Sequence, residues 1–371
     1  SSSLLPLLTV PFAGAPMEPT EGPKFSLRKL LTILLFSLTF SSFLFVSLRR
    51  SWRWQPHHPH SGASLAPPRP EGNATLTILL WPWPSGRRVV SPSCPEQPDT
   101  PRCHFTANAS AWHSADAVLV QHRDVCGDPA RLARLPRLPG QRWIWLNMES
   151  PSHSPNLSAM SHLFNLTMSY RRDSDIFLPY GELRPLRQPR PPAVPRKSRL
   201  VVWVVSNWHE GSRRVAYYRE LSRHIAVDVY GSHHVPLARE ELLPTVSRYC
   251  FYLAFENSQH QDYITEKLWR NALAAGTVPV VLGPPRHNYE RFLPPDAFIH
   301  VDDFGSAAEL ARFLWHLGWD AERYRRYFQW RRWFRPVVGT GRARQLCRVC
   351  HFLHSSPARY RTVPDLAAWF V

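Results

Sequence analysis

The most informative pattern of hydrophobic and polar positions lies between residues 251 and 284. The apolar run Phe251–Phe255 reads as a buried strand and ends at three polar residues, 256–258. A helix is predicted over residues 263–275 from its apolar spacing, and Val278–Leu282 reads as a second buried strand. Because open α/β sheets bind ligands at strand carboxyl ends and helix amino termini, this unit predicts a ligand site, with anions favoured.

The same alternation of strands and helices extends over much of the chain and predicts parallel sheets with crossover helices. A connector rich in Pro and Arg, Glu182–Arg199, separates two such sets, which predicts an α/β fold with two Rossmann-like domains facing a cleft. The predicted helices are 212–224, 263–275 and 307–317. The predicted strands are 76–81, 117–121, 143–147, 200–205, 227–230, 251–255, 278–282 and 298–301.

The N-terminal part predicts a membrane anchor. Leu30–Leu48 is a stretch of nineteen uncharged residues, which as a helix spans roughly 28 Å, close to the hydrocarbon thickness of a bilayer. A cleaved signal peptide is the alternative, but no small-residue cleavage site follows. Residues 1–29 are then a cytosolic tail and residues 49–74 a flexible stem. The first methionine is Met17, which leaves open whether residues 1–16 are native.

Glycosylation sequons and cysteines all lie after this anchor, which predicts a lumenal body with structural disulfide bonds. The predicted glycosylation sites are Asn73, Asn108, Asn156 and Asn165. The pair Cys347 and Cys350 could instead be redox-active or half of a zinc site, but no second CxxC completes such a site. Six cysteines allow too many pairings for the sequence to fix one.

The net charge of +17 raises the question of nucleic-acid binding. The arginines are scattered, often beside proline or tryptophan, and form neither a repeat nor a basic helix. An anionic sugar nucleotide or anionic glycans explain the sign equally well. We therefore expect no nucleic-acid partner.

Five segments together resemble the animal α-1,3-fucosyltransferases, the Lewis-type family that uses GDP-fucose. They are Phe251–Pro284, Met148–His153, Tyr170–Asp175, Val204–Asn207 and His300–Phe304, and the resemblance covers roughly residues 75–371. It implies the GT-B arrangement of two Rossmann-like domains.

By this resemblance, residues 75–185 bind the acceptor and residues 200–346 bind GDP-fucose, while residues 347–371 return to the first domain. It also implies that Cys94 and Cys103 pair with Cys347 and Cys350. Local pairs, Cys94 with Cys103 and Cys347 with Cys350, are the alternative, and Cys126 and Cys250 are expected to be free.

Transfer of fucose from GDP-β-L-fucose with inversion requires one carboxylate to take the proton of the acceptor hydroxyl. Glu149 follows a predicted strand directly, and the resemblance assigns this base role to it. On the residues alone it could be a helix cap or a surface glutamate beside Pro151. No Asp-x-Asp loop suits a metal-bound diphosphate, because Asp173 and Asp175 lie among arginines that favour ion pairs. We expect no required cofactor.

The donor site implied by the resemblance gathers at strand ends of the second domain. Arg214 and Lys267 are expected to neutralise the diphosphate, and Glu266 to hold the ribose hydroxyls. Lys267 could also be a solvated helix residue, and Arg213 beside Arg214 could be the residue that matters less. Other predicted donor contacts are Ser206, Asn207, Asn257 and Tyr263, together with the weaker candidates Tyr252 and Glu256.

The acceptor site is predicted from Trp83, His122 and Arg123. Tryptophan offers a face for sugar stacking but is as often a core residue. The segment Gln121–Asp124 is similar to a family segment that has histidine where this chain has Gln121, which puts acceptor affinity in doubt. In that family, arginine at the position of Arg123 accompanies α-1,3 transfer to Galβ1-4GlcNAc, whereas tryptophan accompanies α-1,4 activity.

The leading hypothesis is a Golgi α-1,3-fucosyltransferase, a single-pass type II membrane protein with a lumenal catalytic domain. Its partners would be GDP-fucose and N-acetyllactosamine glycans of glycoproteins and glycolipids, giving Lewis x or sialyl Lewis x. The alternative is a catalytically silent homologue that binds sugar nucleotides or glycans. Glu149, Arg214, Glu266 and Lys267 occur together, which argues against it, because glycan binding requires no such set.

Overall fold

The computed structural model of the chain describes residues 75–82, 94, 102–339, 341–356 and 361–371. The predicted tail, anchor and stem lie outside this range, as do Asn73 and Trp83. Within the described residues, no helix has the length and apolar character needed to cross a bilayer.

The first half of the described chain forms a parallel sheet of six strands in the order β2-β1-β3-β4-β5-β6. Its inner strands are apolar runs buried on both faces, as parallel sheets require. The strands are β1 Leu76–Leu80, β2 Cys103–Thr106, β3 Ala117–Gln121, β4 Arg142–Asn147, β5 Leu166–Ser169 and β6 Ile176–Phe177.

The second half forms a parallel sheet of five strands in the order β12-β11-β10-β8-β9. All seven residues of its central strand β10 are buried, and alternate side chains enter the two hydrophobic clusters on opposite faces of the sheet. The strands are β8 Arg199–Val204, β9 Asp228–Tyr230, β10 Tyr249–Phe255, β11 Val278–Leu282 and β12 Ile299–His300. Two sheets of this kind confirm the predicted α/β class with parallel sheets.

The connector between the sheets differs from its prediction. Its first residues belong to strand β7, Gly181–Pro185, which pairs antiparallel with β13, Phe334–Val338. The periodicity of the sequence did not reveal this strand, because its pairing partner β13 is distant from it in the sequence. The pair links the region between the sheets to the C-terminal part of the second half.

The predicted helices are present with shifted ends. The helices are α1 His122–Val125, α2 Pro129–Ala133, α3 Arg213–Leu221, α4 Leu242–Ser247, α5 Lys267–Ala274, α6 Arg286–Tyr289, α7 Ala307–Trp319, α8 Ala321–Arg326, α9 Arg342–Ser355 and α10 Leu366–Phe370. Helix α5 has π-type hydrogen bonding, which is rare and often marks functional sites. Short 3₁₀ turns cover Ala109–His113, Pro151–His153, Ser158–Met160, Val301–Asp303 and Gln329–Arg332.

The C-terminal helices return to the first sheet, as the resemblance implied. Helix α9 packs on one face of that sheet and α10 on the other. Disulfide bonds join Cys94 to Cys347 and Cys103 to Cys350, so the long-range pairing is present and the local pairing is not. The remaining two cysteines, Cys126 and Cys250, are free.

Candidate active site

Glu149 lies at the carboxyl edge of the first sheet, two residues after β4. Its backbone N–H donates to Asn147 Oδ1 at 3.0 Å, and the buried Asn147 donates in turn to Ser154 Oγ at 2.7 Å. These bonds fix the turn that presents the Glu149 carboxylate, whose side chain is 38% exposed. The carboxylate therefore stands at a strand end and is open to solvent, as a base for an incoming hydroxyl must be.

Arg123, predicted to contact the acceptor, touches the predicted base. Its Nη2 donates to Glu149 Oε1 at 2.8 Å, and its side chain is 68% exposed. The neighbouring His122 is buried, and its Nδ1 accepts from Trp145 Nε1 at 3.2 Å. Burial lowers the pKa of His122, which suits a neutral ring in that bond. This geometry gives no support to a contact between His122 and the acceptor.

Arg214 is a buried cation at the carboxyl edge of the second sheet. It lies in the first turn of α3, which follows the β8 loop that contains the exposed Ser206 and Asn207. The residue is 5% exposed, its Nη2 donates to Asn207 O, and its Nε is buried with no partner among the described residues. Arg213 differs, because it is exposed and pairs with Asp302 at 3.0 Å. Of the two adjacent arginines, Arg214 is therefore buried and Arg213 is exposed.

Lys267 begins α5 and stands between two carboxylates. Its Nζ lies 3.1 Å from Glu256 Oε2, 3.3 Å from Glu266 Oε1 and 2.9 Å from Thr265 Oγ1. Although burial disfavours its charge, the two carboxylates raise the pKa of Lys267. The ammonium is therefore a fixed, charged group and not a solvated helix residue.

The other predicted donor residues divide into two groups. Asn257 is half-buried beside Ser258, and Tyr263 is buried against the ring of Tyr170. Tyr252 lies in the core, where its hydroxyl accepts from Asn271 Nδ2 at 2.9 Å. The position of Tyr252 gives no support to a donor contact. Glu256 is also buried, behind Lys267.

The carboxyl edges of the two sheets, called here the first rim (with Glu149) and the second rim (with Arg214 and Lys267), touch each other directly. The sequence did not predict these contacts. Ser150 and Ser258 share a hydroxyl–hydroxyl bond of 2.7 Å, and Ser152 Oγ lies 2.7 Å from His260 Nε2. Each bond joins the segment that carries Glu149 to the loop after β10. Each serine lies in a recognisable segment, but only the fold shows that the two segments touch.

The surroundings of Tyr263 show that the charged residues of the first rim and of the second rim lie near one another. Burial raises the pKa of Tyr263, and the carboxylates of Glu256, Glu149 and Glu266 raise it further. Glu149 on the first rim and the Glu256–Glu266 pair on the second therefore act on one phenol. The structure brings together Glu149, Arg123, Arg214, Tyr263, Glu266 and Lys267.

The predicted ion-pair role of the acidic pair near β6 is confirmed. Asp173 binds Arg171 at 2.8 Å, and Asp175 accepts from Thr167 and pairs with Arg361. A cluster of three possible metal ligands occurs once in the part of the chain that the structure describes, formed by Cys103, Cys350 and His354. Two of its members already share a disulfide bond.

The three described sequons differ in accessibility. Asn108 and Asn156 are exposed, whereas Asn165 is half-buried. Asn165 accepts from Trp143 N at 2.8 Å and donates through Nδ2, the atom that would carry a glycan, to Arg361 O at 3.0 Å. Glycosylation of all three stays a prediction, with Asn165 the least accessible.

Comparison with known proteins places this geometry in a family. Residues 194–369 match the model "Glycosyltransferase family 10 (fucosyltransferase) C-term", and residues 73–181 match "Fucosyltransferase, N-terminal". The chain is 50% identical over 360 residues to 4-galactosyl-N-acetylglucosaminide 3-alpha-L-fucosyltransferase FUT6 of Homo sapiens, covering 96% of this chain and 99% of that protein. It is also 50% identical over 360 residues to 3-galactosyl-N-acetylglucosaminide 4-alpha-L-fucosyltransferase FUT3 of Homo sapiens, covering 94% and 98%.

Among solved structures, the chain is similar to "Crystal Structure of alpha1,3-Fucosyltransferase with GDP-fucose". The sequence identity is 18% and the TM-score is 0.46, and the match covers 73% of this chain and 84% of that one.

Proposed function

Because this chain belongs to glycosyltransferase family 10, the fucosyltransferases, we propose that it transfers L-fucose from GDP-β-L-fucose to N-acetyllactosamine. The accepting group is the 3-hydroxyl of GlcNAc in glycans of glycoproteins and glycolipids, and the anomeric centre inverts. The products are Lewis x and sialyl Lewis x structures. The catalytically silent alternative has no comparable support, because curated relatives at this identity are named as fucosyltransferases.

The single observation that carries this proposal is the state of Arg214. A buried guanidinium normally has a carboxylate or several acceptors, because an unpaired buried charge is costly. Arg214 has one backbone carbonyl and an unpartnered Nε among the described contacts, and its burial lowers the pKa of the guanidinium. A diphosphate would complete this site, and Lys267 stands close enough to affect it electrostatically.

Glu149 acts in this proposal as the general base. Arg123 holds Oε1, and no described residue makes a hydrogen bond to Oε2. The free oxygen takes the proton from the 3-hydroxyl as that oxygen attacks the anomeric carbon, on the face opposite the leaving GDP. Arg214 and Lys267 stabilise the charge that develops on the diphosphate.

The assignment of transfer to the 3-hydroxyl, and not to the 4-hydroxyl, rests on Arg123. Overall identity does not decide between linkages, because relatives named for 3- and 4-transfer are equally similar to this chain. A charged side chain at this position makes polar contacts that fit one presentation of the GlcNAc ring. A pocket built on such contacts rejects the wrong isomer, because its polar groups would lose their partners.

The same proposal includes the cellular setting and the absence of a required metal. The uncharged stretch Leu30–Leu48 supports a signal anchor, and the sequons and disulfide bonds after it support a lumenal body in the Golgi. Arg214 and Lys267 supply the positive charge that a metal ion would otherwise provide.

Incubation of the full-length, detergent-solubilised protein with GDP-fucose and paired acceptors tests the proposal. Galβ1-4GlcNAc, neutral or sialylated, should be fucosylated at the 3-hydroxyl, and Galβ1-3GlcNAc should be largely refused. Transfer to neither acceptor would contradict the enzymatic proposal. Comparable rates on both disaccharides would contradict the assignment of linkage alone.

A further inference from the structure

Glu256, predicted as a donor contact, is placed where it cannot reach a ligand directly. It follows β10 by one residue, its backbone N–H donates to Leu282 O at 2.8 Å, and its side chain is 1% exposed. Its Oε1 accepts from Thr265 N at 2.7 Å, and its Oε2 lies 2.8 Å from Thr265 Oγ1 and 3.1 Å from Lys267 Nζ. Any influence of Glu256 on a bound nucleotide therefore passes through its neighbours Lys267 and Thr265.

Every N–H group of the Lys267 ammonium already has an acceptor in this structure. The ammonium carries three N–H groups, and three acceptors surround it: Thr265 Oγ1, Glu256 Oε2 and Glu266 Oε1. A phosphate oxygen must replace one of them. The Glu266 side chain is 35% exposed and can turn away, whereas the backbone N–H of Thr265 holds Glu256 in place.

The charges of this cluster already balance. The carboxylates of Glu256 and Glu266 offset the cations Lys267 and Arg214, so a diphosphate with two negative charges would leave the buried site negative. An uncompensated negative charge in a buried site is costly. Removing the charge of one carboxylate would halve this excess of negative charge.

Glu256 is the carboxyl best suited to lose its charge. Burial raises the pKa of Glu256, although the Lys267 ammonium opposes this, whereas the pKa of Glu266 is lowered, chiefly by Lys267 acting against burial. The other titratable groups that face Glu256 are phenols whose pKa values are all raised by burial, so none of them supplies a charge. They are Tyr170, Tyr180, Tyr252, Tyr263 and Tyr289.

We propose that Glu256 takes up a proton when the diphosphate of the donor binds Lys267, so that donor binding is coupled to protonation of a buried carboxyl. This inference rests on the proposed function. One proton moves from the buffer to Glu256 Oε2, and Thr265 Oγ1 accepts the new O–H while Oε1 keeps the Thr265 N–H. Lys267 then loses an ionised partner and keeps its own charge for the phosphate. Glu256 is a positioning residue in this scheme.

Calorimetric titration of the full chain with GDP-fucose tests the coupling, without acceptor and at one pH in buffers of different ionisation enthalpy. The dependence of the observed heat on the buffer gives the number of protons taken up. GDP-fucose is the probe because its diphosphate is esterified at both ends and does not titrate near neutral pH. We expect uptake of up to one proton by the native protein and none by Glu256→Gln.

Glu256→Gln imitates the protonated state. Its amide oxygen can accept from Thr265 N–H, and its amide nitrogen can donate to Thr265 Oγ1. We therefore expect this variant to bind GDP-fucose at least as tightly as the native protein at neutral pH. Binding weakened tenfold or more in a folded Glu256→Gln would overturn the proposal, because a purely structural or ligand-contacting role predicts that loss.

Glu266→Gln is the matched control, since it removes the other carboxylate on Lys267. It should bind more weakly and should still take up a proton, but no more than the native protein does, because Glu266 no longer raises the pKa of Glu256. His153 and His260 bond to serines of the segment that carries Glu149, so uptake that persists unchanged in Glu256→Gln would point to another group and overturn the assignment to Glu256. GDP-fucose binding by the native protein without proton uptake would overturn the inference alone. A native protein that binds no GDP-fucose would overturn the proposed function as well.

The native protein also provides a test if Glu256→Gln does not fold. Because binding takes up a proton, affinity must fall as pH rises, by at most about tenfold per pH unit for one proton. A native affinity independent of pH across the neutral range would contradict the proposal. If Glu256→Gln does fold, its affinity for GDP-fucose should no longer depend on pH in this range.

Discussion

The first and second rims differ in how they hold charge. On the first rim, Glu149 and Arg123 form one ion pair with exposed side chains. On the second, Arg214, Glu256 and Lys267 are largely buried, and each charge is set by its neighbours. An acceptor hydroxyl must reach its base from solvent, whereas a diphosphate needs fixed cations in a site of low dielectric. In the proposed function, the first rim therefore carries out the chemistry and the second rim binds the donor.

Removing the base should produce the largest effect and separate the rims most clearly. Glu149→Gln keeps the shape of the side chain but cannot take the acceptor proton, so turnover should fall by roughly 10²–10⁴. Steady-state transfer assays measure this loss. The affinity for GDP-fucose, measured by calorimetry, should stay near native because no donor-binding cation is altered. Turnover close to native would remove Glu149 from the base role.

The sequence predicted all five strands of the second sheet and three of the six strands of the first, because a buried parallel strand is an unbroken apolar run. It missed Cys103–Thr106, Leu166–Ser169 and Ile176–Phe177, which are short strands of four, four and two residues. Ala117–Gln121 and Val278–Leu282 have the predicted bounds. The helix predicted from residue 263 begins at Lys267 instead, because the N–H of Thr265 is bound by the buried carboxylate of Glu256. Local periodicity carries no information about such an acceptor from a neighbouring strand.

The members of the candidate site were predicted from the family resemblance, but the contacts between them were not. Glu149, Arg214 and Lys267 all lie in segments that follow predicted strands. The bond from Arg123 to Glu149, the bond between Ser150 and Ser258, and the burial of Glu256 depend on how segments distant in sequence meet. A motif identifies charged residues, but packing decides which of them a ligand can touch.

Arg214→Ala tests whether burial on the second rim translates into donor affinity. Losing a charge-assisted contact to the diphosphate costs about 1.5–3 kcal/mol, which is roughly a ten- to hundredfold loss of affinity for GDP and GDP-fucose. Arg213→Ala is the matched control, because its neighbouring guanidinium is exposed and paired with Asp302. Calorimetry measures the affinity of both variants for GDP and GDP-fucose, and thermal unfolding checks that each variant is folded. Equal effects of the two substitutions would contradict the comparison.

Arg123→Trp tests the ion pair on the first rim, and its effect on the transfer rate should be smaller than the effects of the two preceding substitutions. An exposed ion pair contributes about 0–1 kcal/mol, so its loss should lower the rate of α-1,3 transfer by less than about tenfold. The indole replaces polar contacts by stacking, so measurable α-1,4 transfer to Galβ1-3GlcNAc should appear. Product linkage analysis with both disaccharides measures this shift.

Arg123→Ala separates the two causes of that effect. It breaks the contact with Glu149 as the tryptophan does, but it offers no ring for stacking. We expect the same loss of α-1,3 rate without any gain of α-1,4 transfer. A gain with alanine would show that removing the arginine, and not adding the indole, relaxes the linkage.

Chelation should have the smallest effect, because the second rim supplies its own positive charge. Arg214 and Lys267 lie within electrostatic range of each other, and their role in stabilising the leaving diphosphate would make a divalent metal unnecessary. Transfer assays after treatment with EDTA should therefore keep most of their activity. Arg214→Ala assayed with and without added Mn²⁺ sharpens the test, since a metal that takes over the missing charge would rescue this variant and leave the native rate unchanged. Complete loss of native activity with EDTA, restored by metal, would mean that the two cations do not suffice.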